Sequence, residues 1–99
     1  MGKLVRDKIP MIIGPSCKYR ILNDKEYEDE LYKKLLEEVN EFLENTSSLE
    51  EMADIFTVLY TICDLKNISD YSLSMAISKK GEEKGFFEKK YYWEGIDET

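Results

Sequence analysis

The stretch NDKEYEDELYKKLLEEVNEFLENTSSLEEMADIFTVLYTICDL, residues 23–65, decides the fold. Asn23 followed three residues later by Glu26 is a capping-box pattern, and it opens a helix predicted over about residues 24–45. Asn45-Thr46-Ser47-Ser48 breaks that helix. Ser48 with Glu51 offers a second capping box, opening a helix that reaches about residue 65. At about 100° per residue, Leu31, Leu35, Val39 and Phe42 form an apolar stripe on the first helix. Ile55, Val58, Leu59, Ile62 and Leu65 do the same on the second. Two amphipathic helices with so short a break between them are expected to pack face to face.

Working outward, Lys66-Asn67 ends the second helix, and Ser69 or Asp70 can cap a third that runs to about residue 83. Gly85 supplies its C-terminal stop. The tail Phe86–Tyr92 is aromatic and basic, and a frayed acidic end follows. Upstream, residues 3–10 are too short, and too interrupted by Pro10, for a long helix. Gly14-Pro15-Ser16 is a turn, and residues 17–22 suit a short extended piece. The expected class is all-α: a small helical bundle of three main helices plus short terminal segments, in one domain over residues 1–99. So small a domain buries little of its surface, so a leftover apolar face favours completion by dimerisation.

The formal charge of −7 is unevenly spread. Residues 1–22 carry Lys3, Arg6, Lys8, Lys18 and Arg20 against Asp7, a local +4, which leaves −11 for the remainder. An acidic body argues against a nucleic-acid duplex as partner, because phosphate contact needs a continuous basic surface. Cys17 and Cys63 stand at unrelated spacing, with no secretory signal and no membrane-length apolar run. They read as free thiols in a reducing, cytoplasmic compartment. The absence of histidine removes Ser-His and Cys-His catalysis and imidazole zinc sites.

The long helices also carry acids at three- and four-residue spacings: Glu37, Glu38 and Glu41 on the first, Glu51 and Asp54 on the second. Such spacings share a helical face. Glu51 and Asp54 fall within or beside the apolar stripe, Glu38 sits on its border, and Glu41 lies beyond. An acid turned toward a core is costly unless paired or metal-bound, and close carboxylates repel unless a cation lies between them. Carboxylate oxygens suit a hard ion, Mg²⁺ or Mn²⁺. Glu51 has a rival role as capping partner of Ser48, and Glu37, taken alone, reads as a surface acid.

Glu37-Glu38-Val39-Asn40-Glu41 followed by Glu51-Met52-Ala53-Asp54 resembles the E-E-x-x-E and E-x-x-D signature of the MazG-like all-α nucleoside triphosphate pyrophosphohydrolases. Lys3-Leu4-Val5-Arg6-Asp7-Lys8-Ile9-Pro10 is similar to the opening of the phosphoribosyl-ATP pyrophosphohydrolase-like subgroup. Lys80 with Lys84-Gly85-Phe86-Phe87 resembles that subgroup's K-x-x-x-R-G-G-F element. Lys84 stands where the subgroup usually has Arg, and Phe86 where it has a second Gly. A lysine is a point charge without a bidentate fork, so a phosphate contact there is looser.

The resemblance implies a bundle completed as a homodimer or tetramer, with Mg²⁺, or Mn²⁺ in its place, held by Glu38, Glu41, Glu51 and Asp54. It implies hydrolysis of a nucleoside triphosphate, a non-standard one included, to monophosphate and pyrophosphate. Glu37 and Glu38 are then the catalytic acids, Glu37 serving as a ligand or as a base that orients water. Lys3, Arg6, Lys8, Lys80 and Lys84 hold the phosphate tail, unless they are solvated surface cations. Tyr71, Phe86, Phe87 and Trp93 stack on a base or, as aromatics more often do, pack at a helix end or dimer contact. Competing expectations are phosphoribosyl-ATP hydrolysis and a non-catalytic helical dimer acting as an interaction module.

Overall fold

The computed structural model describes residues 2–97, so Glu98 and Thr99 of the acidic end lie outside the described residues. Four helices follow in order: α1 (Ile9–Ile13), α2 (Asp24–Glu44), α3 (Leu49–Leu65) and α4 (Asp70–Lys84). No strand occurs among the described residues; residues 17–22 run as irregular chain. The chain divides into two compact units, Met1–Asn67 and Ile68–Thr99.

In the first unit, α2 starts where local chemistry places it. The Asn23 side chain accepts the Glu26 amide at 2.9 Å, and Glu26 reaches back to the Asn23 amide at 3.3 Å. This reciprocal cap satisfies two donors that a helix start leaves without intrahelical partners. Arg20 adds a two-pronged contact to Glu26, at 2.7 and 3.1 Å, which ties the incoming chain to the first turn. At the far end, the Asn45 amide donates to the Phe42 carbonyl and closes α2.

The connection to α3 is short, and the two helices pack antiparallel. Lys66, just past the end of α3, donates to Glu28 near the start of α2, and its ammonium lies 5.7 Å from the Tyr32 ring centre. That clamp fixes the open end of the hairpin. Between the helices Leu31 is 2% exposed and Val58 8%, and they are the only buried apolar side chains among the described residues. The short α1 begins with Pro10 in its first turn, where the missing N–H does no harm. It makes no helix–helix contact with α2 or α3.

The second unit contains α4, capped by Ser69, whose hydroxyl accepts the Ser72 amide at 3.1 Å. Gly85, at φ 80°, ends the helix in a left-handed conformation that a side chain would strain. Phe86 then folds back onto α4, and its ring stands over Gly81 so closely that a Cβ there would meet it at 2.0 Å. No α4 residue is buried within this structure, and Phe87, Tyr91, Tyr92 and Trp93 are exposed.

Candidate functional site

Three of the sequence-nominated acids converge. Glu38 and Glu41 from α2 and Glu51 from α3 each offer a carboxylate oxygen, all within 4.8 Å of one another. Their spacings create this arrangement. Glu38 and Glu41 stand one turn apart on α2, and antiparallel packing brings the first turn of α3 alongside. Glu38 is 6% exposed, the one buried charged residue among those described, while Glu41 and Glu51 are half-buried.

The cap rival for Glu51 does not account for its carboxylate. The Ser48 hydroxyl accepts the Glu51 amide at 3.1 Å, whereas the Ser48 amide is taken by the Asn45 carbonyl at 3.1 Å. The cap is one-sided, and the Glu51 side chain turns inward instead. Glu38 Oε2 and Glu51 Oε2 are both buried without a hydrogen-bond partner. Unpartnered buried polar atoms are rare because each forfeits its hydration, about 1–3 kcal/mol and more for a charged group. Two of them in one three-acid cluster fit a hard cation that takes oxygen ligands.

The other predicted residues distribute around this cluster. Asp54 lies outside the triplet; its Oδ1 accepts Arg6 Nη2 at 2.6 Å. Glu37 faces two amines, Lys34 at 3.1 Å and Lys3 at 3.7 Å. Lys8 is the N-cap of α1 and makes no side-chain capping bond. Lys80 and Lys84 are exposed on α4, in the second unit. Thus Lys3 and Arg6, nominated for phosphate, hold the carboxylates that flank the cluster.

A cavity of about 240 Å³ opens beside Glu38 and Asp54. Its walls come from three segments: Leu4, Val5, Arg6 and Asp7; Tyr27, Leu31 and Lys34 on α2; and Thr57, Val58 and Thr61 on α3. Sequence reasoning did not single out Lys34, Tyr27, Thr57 or Thr61, yet a signal was there. Tyr27, Leu31, Lys34 and Glu38 recur every three to four residues, as do Asp54, Thr57 and Thr61, so each set shares a face. The threonine hydroxyls donate to the carbonyls one turn back, Ala53 and Thr57, each at 2.8 Å. They therefore present lone pairs, not donors, to the cavity.

Electrostatics follow from burial. Desolvation pushes the Glu38 carboxyl above the usual carboxylate range, Glu41 and Asp54 push the same way, and Lys34 at 3.4 Å opposes them. Burial works against the Lys34 ammonium, but Glu37 and Glu38 together outweigh it and leave its pKa raised. A half-buried lysine thus partly balances the acids from one side. No helix among the described residues is long and apolar enough to cross a membrane. No protein-family model, curated protein or solved structure matches the chain.

Proposed function

We propose that this chain is a MazG-like, magnesium-dependent hydrolase that converts a nucleoside triphosphate to its monophosphate and pyrophosphate. One observation carries the reading: Glu38, Glu41 and Glu51 converge with two buried oxygens left unpartnered. The quoted motifs supply the reaction class, and the donor set supplies the ion. Held by Glu38, Glu41 and Glu51, Mg²⁺ would supply Lewis-acid neutralisation of the phosphate oxygens and activation of a water. The water oxygen bonds to that phosphorus, the bridge to the β-phosphate breaks, and pyrophosphate leaves with the electron pair.

The protein's share is positioning and charge. Glu38, Glu41 and Glu51 would hold the ion, and Asp54, which lines the same cavity as Glu38, would add a fourth carboxylate. Glu37 orients the attacking water and accepts its proton, Lys34 and Lys3 setting where its carboxylate points. The cavity takes the base against Tyr27, Leu31 and Val58, with Lys34, Thr57 and Thr61 among the polar side chains that would orient it. The two free cysteines suit a reducing, cytoplasmic setting. Exposed apolar residues on α2 and α3, Leu36, Leu43 and Phe56 among them, support self-association into a homodimer or larger assembly.

The test is a product assay over standard, deoxy and oxidised nucleoside triphosphates and phosphoribosyl-ATP, with and without Mg²⁺. Pyrophosphate release with Mg²⁺, abolished by Glu38→Gln and Asp54→Asn in chains that keep their helical signal, is the expected result. Turnover that survives excess chelator refutes the metal mechanism. A chain that binds no Mg²⁺ and turns over no substrate belongs instead to the non-catalytic interaction class.

A further inference from the structure

The segment before α1 is attached to the hairpin in an unusual way. Residues 2–6 have no regular secondary structure, and α1 packs against neither long helix. Two ion pairs hold the segment, one to each helix: Lys3 to Glu37 on α2 at 3.7 Å, and Arg6 to Asp54 on α3 at 2.6 Å. Between them, half-buried Leu4 and Val5 form part of the cavity wall. The Ile9 amide donates to the Arg6 carbonyl at 3.1 Å, which anchors the Arg6 backbone to the first turn of α1 and leaves its side chain free to swing.

We propose that residues 3–7 are a strap released by a divalent cation: Arg6 holds Asp54 while the acid cluster carries no ion, and an ion that takes Asp54 frees the guanidinium. This rests on the cation reading of the acid cluster. Asp54 lines the same cavity as Glu38, whose Oε2 is buried and unpartnered, as is that of Glu51. Asp54 would bring a fourth carboxylate to that cluster, and its Oδ1 accepts from Arg6. Ion and guanidinium then compete for the charge of that one carboxylate. The competition favours the ion, because the Arg6 and Asp54 side chains are 58% and 33% exposed and such pairs are weak in water. A divalent charge shared by several carboxylates is the stronger attraction. Once released, the planar fork of Arg6 matches phosphate oxygens, so arrival of the ion prepares the arginine to receive an incoming phosphate tail.

Two measurements on the full chain, with Mn²⁺ alone as probe, test this. Calorimetric titration compares wild type with Arg6→Gln; dilute trypsin reports how accessible the Arg6–Asp7 bond is in wild type. If the strap competes, R6Q binds Mn²⁺ about two- to five-fold more tightly, the range an exposed ion pair can contribute. Saturating Mn²⁺ then speeds wild-type cleavage after Arg6 by about three-fold or more. In Asp54→Asn, where the strap is already loose, cleavage is fast with or without the ion. Equal or weaker Mn²⁺ binding by R6Q, or a wild-type cleavage rate indifferent to bound Mn²⁺, overturns the strap and leaves the cation site standing. Absence of saturable Mn²⁺ binding in both proteins overturns the cation site and the strap with it.

Discussion

Glu38 is a charge placed where a folded chain alone would not keep one. Its carboxylate is buried, one oxygen lacks a partner, and the Lys34 ammonium at 3.4 Å compensates only in part for Glu41 and Asp54. Glu38→Gln removes the charge and keeps the shape. In chelator at neutral pH that variant should be more stable than wild type by about 1 kcal/mol, an increase of about 4–8 °C in Tm for a domain of this size. The sign with pH follows from the raised pKa. A carboxyl that binds its proton more tightly in the folded chain than in the unfolded one contributes fully below its ordinary value of 4.5. That contribution drains away as pH rises through the folded value. Glu26, held below the usual range by Arg20 and Asn23, and Glu28, held below it by Lys66 and Tyr32, act oppositely and lose their contribution in acid. The difference between wild type and E38Q cancels those terms, so their Tm gap should be small near pH 4 and widen toward pH 7. A wild type that stays the more stable at pH 7 in chelator would show the Lys34 pairing to outweigh burial. Saturating Mg²⁺ should reverse the ranking, since a ligand at 100 times its Kd stabilises the binding state by about 2.7 kcal/mol.

At the level of the helices, stability divides between caps and a thin core. Asn23→Ala removes one side of the reciprocal cap on α2 and should cost about 1 kcal/mol, a fall of about 4–8 °C in Tm. Leu31→Ala truncates one of the two buried apolar side chains among the described residues, and such changes cost about 2–5 kcal/mol, enough to abolish a cooperative transition in a chain with so small a core. Thermal unfolding followed by circular dichroism separates the two; equal, small losses would mean that the α2–α3 contact contributes little. The same division explains what could be read in advance. Helix limits were legible because Asn23, Ser48, Ser69 and Gly85 act on their own neighbours: the expected ends at about residues 45, 65 and 83 meet observed ends at Glu44, Leu65 and Lys84. The acid face was legible for a similar reason, since three- and four-residue spacing is a property of the helix itself. Arg6 with Asp54 was not, because 48 residues separate them and only the path of the chain brings them together. Lys34 escaped notice since a lysine on a charged helix looks solvated until the neighbouring wall is known. Whether Glu51 served Ser48 or the cluster depended on which partner the Ser48 amide took, a detail of the loop between α2 and α3.

The whole chain carries more apolar surface than a lone small domain needs to expose. Leu36 on α2 is 66% exposed and Leu43 64%; on α3, the Phe56 and Tyr60 rings lie tilted with centres 6.3 Å apart yet remain about half exposed, each at 49%. A hairpin that buries one stripe against its partner helix leaves these side chains without cover from the hairpin itself. A second copy would cover them with identical chemistry, and the closed symmetry of a dimer would limit growth. The charge of −7 opposes this, and salt should weaken that opposition and strengthen association. For a dimer that unfolds as it dissociates, each tenfold dilution removes about 1.4 kcal/mol from the pair, or about 3 °C in Tm at this chain length. Melting curves between micromolar and millimolar chain should therefore shift by several degrees, and sedimentation should report at least two chains. Leu36→Glu and Phe56→Glu place new charges on the exposed face at little cost to an isolated chain, where surface changes stay within about 0.5 kcal/mol. Both should abolish the concentration dependence and lower the melting point toward that of the dilute protein. A Tm that ignores dilution, with a monomer in sedimentation, would leave the apolar face open to a partner of different sequence, and the non-catalytic alternative would gain the ground the dimer lost.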